Sequence, residues 1–193
     1  LMRLKRKYRF TLIEDTCESL GSKYKDKYLG SYGEFGTFSF YYSHQITSGE
    51  GGMIVCKSKE DYDLLYTMRS HGWDRGLGLS KKKNNFNFIN SGFNLRPMDL
   101  TAAIGLSQLK RLRKMIRSRE KNRKLIINKI KKHRNWNDQF EFFYPNKKLK
   151  PSWFGLPLLI NKKFNINKEE FIKYLNLNGV ETRPILSGNF LNQ

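Results

Sequence analysis

A histidine, a serine and several acids gather in two short stretches near the start of the chain, and their types limit the chemistry available. "FSFYYSHQITSGEGG", residues 38–52, carries Ser39 five positions before His44, followed by a run of glycines. An imidazole changes protonation near neutral pH, so His44 is a candidate acid–base group; taken alone, a histidine is more often a satisfied structural residue. A hydroxyl at a strand end can hydrogen-bond phosphate oxygens, which makes Ser39 a candidate anion contact or a plain strand serine. Gly49, Gly51 and Gly52 permit a tight turn and close approach of backbone to a ligand. Upstream, "IEDTCESLG", residues 13–21, ends a short apolar segment in acids. The carboxyl ends of strands are where α/β folds bind ligands. Asp15 there can hold a cationic nitrogen or cap the segment that follows.

The surrounding pattern predicts the elements that position these groups. Strands are expected over 11–14, 37–41 and 52–56, and a helix with an acidic first turn over 59–70. A polar, glycine-bearing loop, "RGLGLSKKKNNFNFINSG", leads to a long helix from about 97–99 to 132. Pro97 suits its first turn, and Leu100, Ile104, Leu109, Leu112, Ile116 and Ile127 form its apolar stripe. After Lys150, "SWFGLPLLI" reads as a strand, "NKEEFIKYLNLNG" as a helix with a glycine stop, and "VETRPI" as another strand. Strands alternating with helices argue for an α/β fold. The opening "LMRLKRKYRF" reads as the tail of a helix, and "RPILSGNFLNQ" stops without a closing element, so the chain is expected to be a fragment cut at both ends.

Composition narrows the function classes. Of the 193 residues, 38% are hydrophobic and 14% aromatic, which is a folding sequence and not a disordered one. No apolar run reaches the length of a membrane span, so no membrane association is expected. Only two cysteines occur, Cys17 and Cys56, with no C-x-x-C spacing, so no metal site is expected and a reducing, cytoplasmic setting is. The net charge of +20 is spread over several lysine- and arginine-rich stretches, chiefly the solvated face of the long helix. No aromatic–basic motif accompanies it, and no nucleic-acid partner is expected.

Four segments, "IEDTCESLG", "GEFGTFSFYYSHQITSGEGGMIV", "RSHGW" and "GFNLRPMDLTAAIGLSQL", occur in an order and spacing that resembles the DegT/StrS family of pyridoxal-phosphate sugar aminotransferases. The resemblance runs from Leu12 onward and implies the aspartate aminotransferase-like fold. It implies that 1–110 is the later part of the cofactor-binding large domain, 111–150 a connecting helix and linker, and 151–193 the beginning of a small C-terminal domain. Carried over by position, Asp15 matches the acid that pairs with the pyridine nitrogen, and Glu18 a residue near the cofactor ring. Ser39 matches a phosphate-binding serine, and Asn94 an asparagine that reaches the partner subunit's phosphate, which implies a homodimer with shared active sites. His44 departs from the family pattern, which has lysine there. A covalent link to the cofactor needs a primary amine, which imidazole lacks. This exchange resembles the sugar 3-dehydratase branch. "HGWDRGLGLSKKKNNFNF" has no cysteine, which separates the chain from the iron–sulfur type and aligns it with dehydratases of GDP-linked 4-keto-6-deoxy sugars. The implied activity is loss of the 3-hydroxyl of a nucleotide-linked 4-keto-6-deoxyhexose, with pyridoxamine phosphate as cofactor, glutamate as amino donor and His44 as the proton shuttle. Arg183, in "TRPILSGN", is a candidate grip on a substrate carboxylate or phosphate. A sugar aminotransferase drawing its lysine from elsewhere, and a cofactor-holding homologue without turnover, are the alternatives.

Overall fold

The computed structural model describes residues 1–78, 86–185 and 190–192. The lysine run 81–83 and the 186–189 part of "TRPILSGN" lie outside the described residues. The chain divides into two compact units: Leu1–Leu125 with Pro145–Leu156, and Ile126–Tyr144 with Pro157–Gln193.

In the first unit, the basic N-terminal stretch forms α1 (Met2–Tyr8), which Arg9 ends in the left-handed conformation at φ 52°. β1 (Ile13–Asp15) starts later than the 11–14 expectation. The Leu12 amide is diverted to the side chain of Glu34, donating to Oε2 at 2.8 Å instead of joining a ladder. β2 (Lys23–Tyr24) and β3 (Lys27–Tyr28) form a hairpin absent from the sequence reading. Its two turn residues, Lys25 and Asp26, both have positive φ, 48° and 64°. That is the backbone of a primed hairpin turn, built here without the Asn-Gly or Asp-Gly pair that signals one. β4 (Phe35–Ser39) is as long as the expected 37–41 strand but starts and ends two residues earlier, and β5 (Gly52–Cys56) falls where the sequence placed it.

β4 is the centre of the site-bearing sheet, whose order is β1-β4-β5. It runs parallel to β1, with Asp15 opposite Thr37, and antiparallel to β5, with Ser39 opposite Gly52. The carboxyl ends of β1 and β4 therefore emerge at one edge, and the loop carrying His44 leaves and re-enters the sheet there. Behind β1, the carboxylate of Glu14 accepts backbone N–H groups from Gly30 (2.8 Å), Tyr32 (2.6 Å) and Gly33 (2.6 Å). Those bonds fasten the 30–33 turn across the sheet. Gly36 lets it pack closely, since a Cβ there would meet the Gly30 carbonyl oxygen at 2.0 Å.

α2 (Lys59–Met68) is capped by the Ser58 hydroxyl, which accepts from the Asp61 amide at 3.0 Å, with Glu60 and Asp61 in its first turn. The expected single long helix is two, α3 (Asp99–Leu109) and α4 (Leu112–Lys131). Between them the Arg111 amide donates to Gln108 O at 2.9 Å, a tighter turn than the α-helical one. The apolar stripe already carried the reason. Ile104 and Leu109 are five residues apart, which on one straight helix places them about 140° from each other. Among the described residues, no helix is long and apolar enough to cross a membrane.

In the second unit, β6 (Phe140–Phe142) precedes the first unit's returning strand β7 (Leu149–Lys150), which pairs with β2. β8 (Leu158–Ile160) pairs antiparallel with β6, so only the last third of "SWFGLPLLI" is a strand. α5 (Lys168–Leu177) is capped by Asn167 and stacks Phe171 on Phe140 at 5.1 Å. Residues 180–185 form no strand, so the expected strand–helix–strand pattern is corrected to an antiparallel pair with one helix. Pro184 has no amide to give a ladder, and both Thr182 N and its hydroxyl are bonded to Asn176 Oδ1, at 3.3 and 3.2 Å.

Candidate functional site

Asp15 is the last residue of β1, exposed, with its carboxylate anchored locally. Its Oδ1 accepts from the Cys17 amide at 3.2 Å and from the Thr37 hydroxyl at 3.4 Å. Hydrogen bonds from Cys17, thiol first and then amide, hold the carboxyl below the usual carboxylate range, against a small opposing effect of burial. Asp15 is thus a negative charge at a strand end that also caps the turn following it, where no helix begins. Burial, reinforced by the same carboxylate, pushes the Cys17 thiol up, so this cysteine stays protonated beside it.

Ser39 ends the neighbouring strand, where its hydroxyl oxygen accepts from the Tyr41 amide at 3.2 Å and, among the described residues, keeps its own hydrogen to give. The loop then turns, with the Ser48 amide donating back to Phe40 O at 2.9 Å and the Phe40 amide to Gly51 O at 2.8 Å. Gly49 and Gly51, at φ 86° and 151°, make that return possible.

His44 is half-buried at the crown of this loop. Its amide donates to Tyr41 O at 3.1 Å. Its ring meets Tyr41 edge-on, with centroids 5.9 Å apart, and Phe154 at 5.3 Å. Nδ1 is buried, with no hydrogen-bond partner among the described residues. The next residue, Gln45, is only 1% exposed. Its side-chain amide donates to the backbone carbonyls of Glu18 and, at 3.3 Å, of Ser152. Gln45 so ties the segment bearing Asp15 and Glu18 to the loop bearing His44.

The structure therefore brings Asp15, Glu18, Ser39 and His44 to one end of one sheet. Asn94 lies elsewhere in the first unit, on the exposed segment after α2, bridged to Ser70. Arg183 belongs to the second unit, where its Nε donates to Glu181 Oε1 at 2.9 Å. Gln45 and Phe154 were not found by sequence reasoning. The signal for Gln45 was an amide next to a candidate catalytic histidine; for Phe154, more than a hundred residues downstream, there was none.

Residues 1–191 match the sequence profile of the DegT/DnrJ/EryC1/StrS aminotransferase family. The chain is 38% identical over 190 residues to GDP-4-keto-6-deoxy-D-mannose 3-dehydratase of Escherichia coli O55:H7, covering 93% of this chain and 47% of that one. Among solved structures it resembles the E. coli GDP-4-keto-6-deoxy-D-mannose-3-dehydratase with bound hydrated PLP. There the TM-score is 0.85 at 35% identity, over 99% of this chain and 50% of that one. It also resembles a GDP-4-keto-6-deoxymannose-3-dehydratase with a trapped PLP–glutamate geminal diamine, with TM-score 0.82 and 36% identity, over 95% and 48% of the two chains. The chain spans about half the length of the curated relatives it matches.

Proposed function

The chain belongs to the DegT/DnrJ/EryC1/StrS aminotransferase family, and from that premise we propose that the protein removes the 3-hydroxyl of a GDP-linked 4-keto-6-deoxyhexose. In this reading pyridoxamine phosphate is the cofactor and glutamate the amino donor. The observation that carries it is His44: an imidazole, and not a primary amine, sits on the loop that leaves the strand ends bearing Asp15 and Ser39. The solved relatives with bound hydrated PLP and with a PLP–glutamate adduct support the same reading.

The residues present fit the cofactor. The carboxylate of Asp15, kept ionised by Cys17 and Thr37, suits a protonated ring nitrogen, and the free hydrogen of Ser39 suits a phosphate oxygen. When bound, pyridoxamine phosphate supplies an amine that condenses with the keto group and a ring that accepts electrons. The chain's part is to hold charge and move protons. Asp15 keeps the ring nitrogen positive. His44 takes up a proton as a base and returns one, as an acid, to the departing 3-hydroxyl oxygen, two tasks one imidazole performs near neutral pH. Glu18 borders the ring, Asn94 completes the phosphate site of a partner subunit in a homodimer, and Arg183 contacts substrate. Free thiols at Cys17 and Cys56 accord with a cytoplasmic setting.

The experiment is product analysis of the complete gene product, incubated with pyridoxamine phosphate, glutamate and a GDP-linked 4-keto-6-deoxyhexose. A sugar short of one oxygen, with ammonia released, is the expected result. An amino sugar would instead show that the protein transaminates.

A further inference from the structure

We infer that Phe154, whose carbonyl is held by Arg119 and whose near neighbour Ser152 is held by Gln45, is a positioning residue that holds the imidazole of His44 in its working orientation. The inference rests on the proton-shuttle reading of His44. A working histidine is normally oriented by a hydrogen bond to its second ring nitrogen. Here Nδ1 is buried with no such partner among the described residues, so packing has to fix the ring. The Phe154 ring lies 5.3 Å from the imidazole, tilted by 51°, and Tyr41 closes a second side nearly at right angles.

The placement of Phe154 is itself built. Arg119 Nη1 donates to the carbonyls of both Trp153 (3.0 Å) and Phe154 (2.8 Å). The guanidinium of Arg123 lies 4.0 Å over the Trp153 ring. The Ser152 amide donates to Ser22 Oγ at 2.8 Å, and its carbonyl accepts from Gln45. The residue after His44 and the residue two before Phe154 are thus joined directly, and the two rings meet because their backbones are clamped together. Phe154 remains 38% exposed, too open to be a core residue, so its ring is dispensable for folding in a way its carbonyl is not.

The test uses the complete gene product loaded with pyridoxamine phosphate, with Phe154→Ala, Phe154→Leu and His44→Asn compared for kcat, KM, thermal midpoint and the NMR signal of the His44 ring in 13C-histidine-labelled protein. Misplacing a reacting group by about an ångström can cost about a hundredfold. Phe154→Ala should therefore lower kcat about 10- to 100-fold, with KM and thermal midpoint unchanged. The His44 ring signal should lose its ring-current displacement and broaden. Phe154→Leu should recover much of kcat while leaving the ring-current displacement absent. Wild-type kcat in Phe154→Ala, with His44→Asn inactive, would overturn this inference alone. So would a fall in kcat that tracks a lowered thermal midpoint while the His44 signal stays put. Wild-type turnover in His44→Asn would overturn the proton-shuttle reading and this inference with it.

Discussion

Removing the carboxylate of Glu14 should loosen the turn that backs the site without touching the site itself. Three backbone amides, of Gly30, Tyr32 and Gly33, end on this one side chain. Hydrogen bonds to a charged group contribute about 1.5–3 kcal/mol each in favourable cases. Glu14 is half-buried, so water can replace part of what is lost, and three bonds on one group are not additive. Glu14→Ala is therefore expected to cost about 2–4 kcal/mol. Glu14→Gln should cost less, about 1–2 kcal/mol. Oε1 alone serves Tyr32 and Gly33, and an amide keeps one oxygen for them while facing Gly30 with a second donor. Urea titration gives the two costs as midpoint shifts at constant slope. Hydrogen exchange should show lost protection at the Gly30, Tyr32 and Gly33 amides in Glu14→Ala, and at Gly30 chiefly in Glu14→Gln. A cost below about 1 kcal/mol for Glu14→Ala, or equal costs for the two variants, would refute the reasoning.

Three further outcomes are expected. Lys5 Nζ, 2.5 Å from Glu34 Oε1, together with the Leu12 amide, pulls the Glu34 carboxyl down from 4.5 to about 2. Because the folded value lies below the unfolded one, this carboxylate stabilises the fold above the unfolded value, and the contribution is lost as pH falls from about 4.5 toward 2. Lys5→Met should flatten acid denaturation across that window, as read by circular dichroism. Asn167 Oδ1 accepts from the amides of Glu169 (2.9 Å) and Glu170 (3.3 Å), so Asn167→Ala should destabilise α5 by about 1 kcal/mol, seen in the melting of the second unit. Asp15→Asn keeps an acceptor for Cys17 and Thr37 but removes the charge. It should lower the thermal midpoint slightly, as charge-assisted bonds become neutral ones, and lower kcat by about a hundredfold or more.

What the sequence disclosed depended on how local its signals were. β5 could be read because a glycine turn, an apolar run and an acidic helix start follow one another without a gap. The two strands leading to Asp15 and Ser39 were legible in kind but not in their ends, which fall at Asp15 and Ser39 instead of 14 and 41, and the family resemblance implied the roles of these residues. The β2–β3 hairpin was not legible: two-residue strands show no period, and its turn uses Lys25 and Asp26 where glycine or asparagine would have announced it. The break between α3 and α4 contains no proline or glycine. Only the five-residue step from Ile104 to Leu109 marks it, and a stripe with one such step still resembles a continuous helix. The strand expected over 180–185 does not form because Pro184 has no amide for a ladder and Thr182 is bonded to Asn176. Within the site, the clamp of Gln45 on Glu18 and Ser152, and the contact of Phe154 with His44, join residues 27 and 107 positions apart or more. No local pattern encodes such pairs.

In the proposed function His44 stands where an amine would bind the cofactor covalently, so the cofactor is held by non-covalent contacts only. The most direct measurement is borohydride treatment of the complete gene product with pyridoxal phosphate, followed by peptide mass mapping, for wild type and His44→Lys. Wild type should carry no cofactor mass on any peptide in the site and release the cofactor fully on denaturation. His44→Lys should carry a cofactor adduct at position 44, with formation of the deoxygenated sugar abolished. A wild-type adduct on Lys57, Lys59 or any other lysine, accompanied by an amino-sugar product, would contradict this reading.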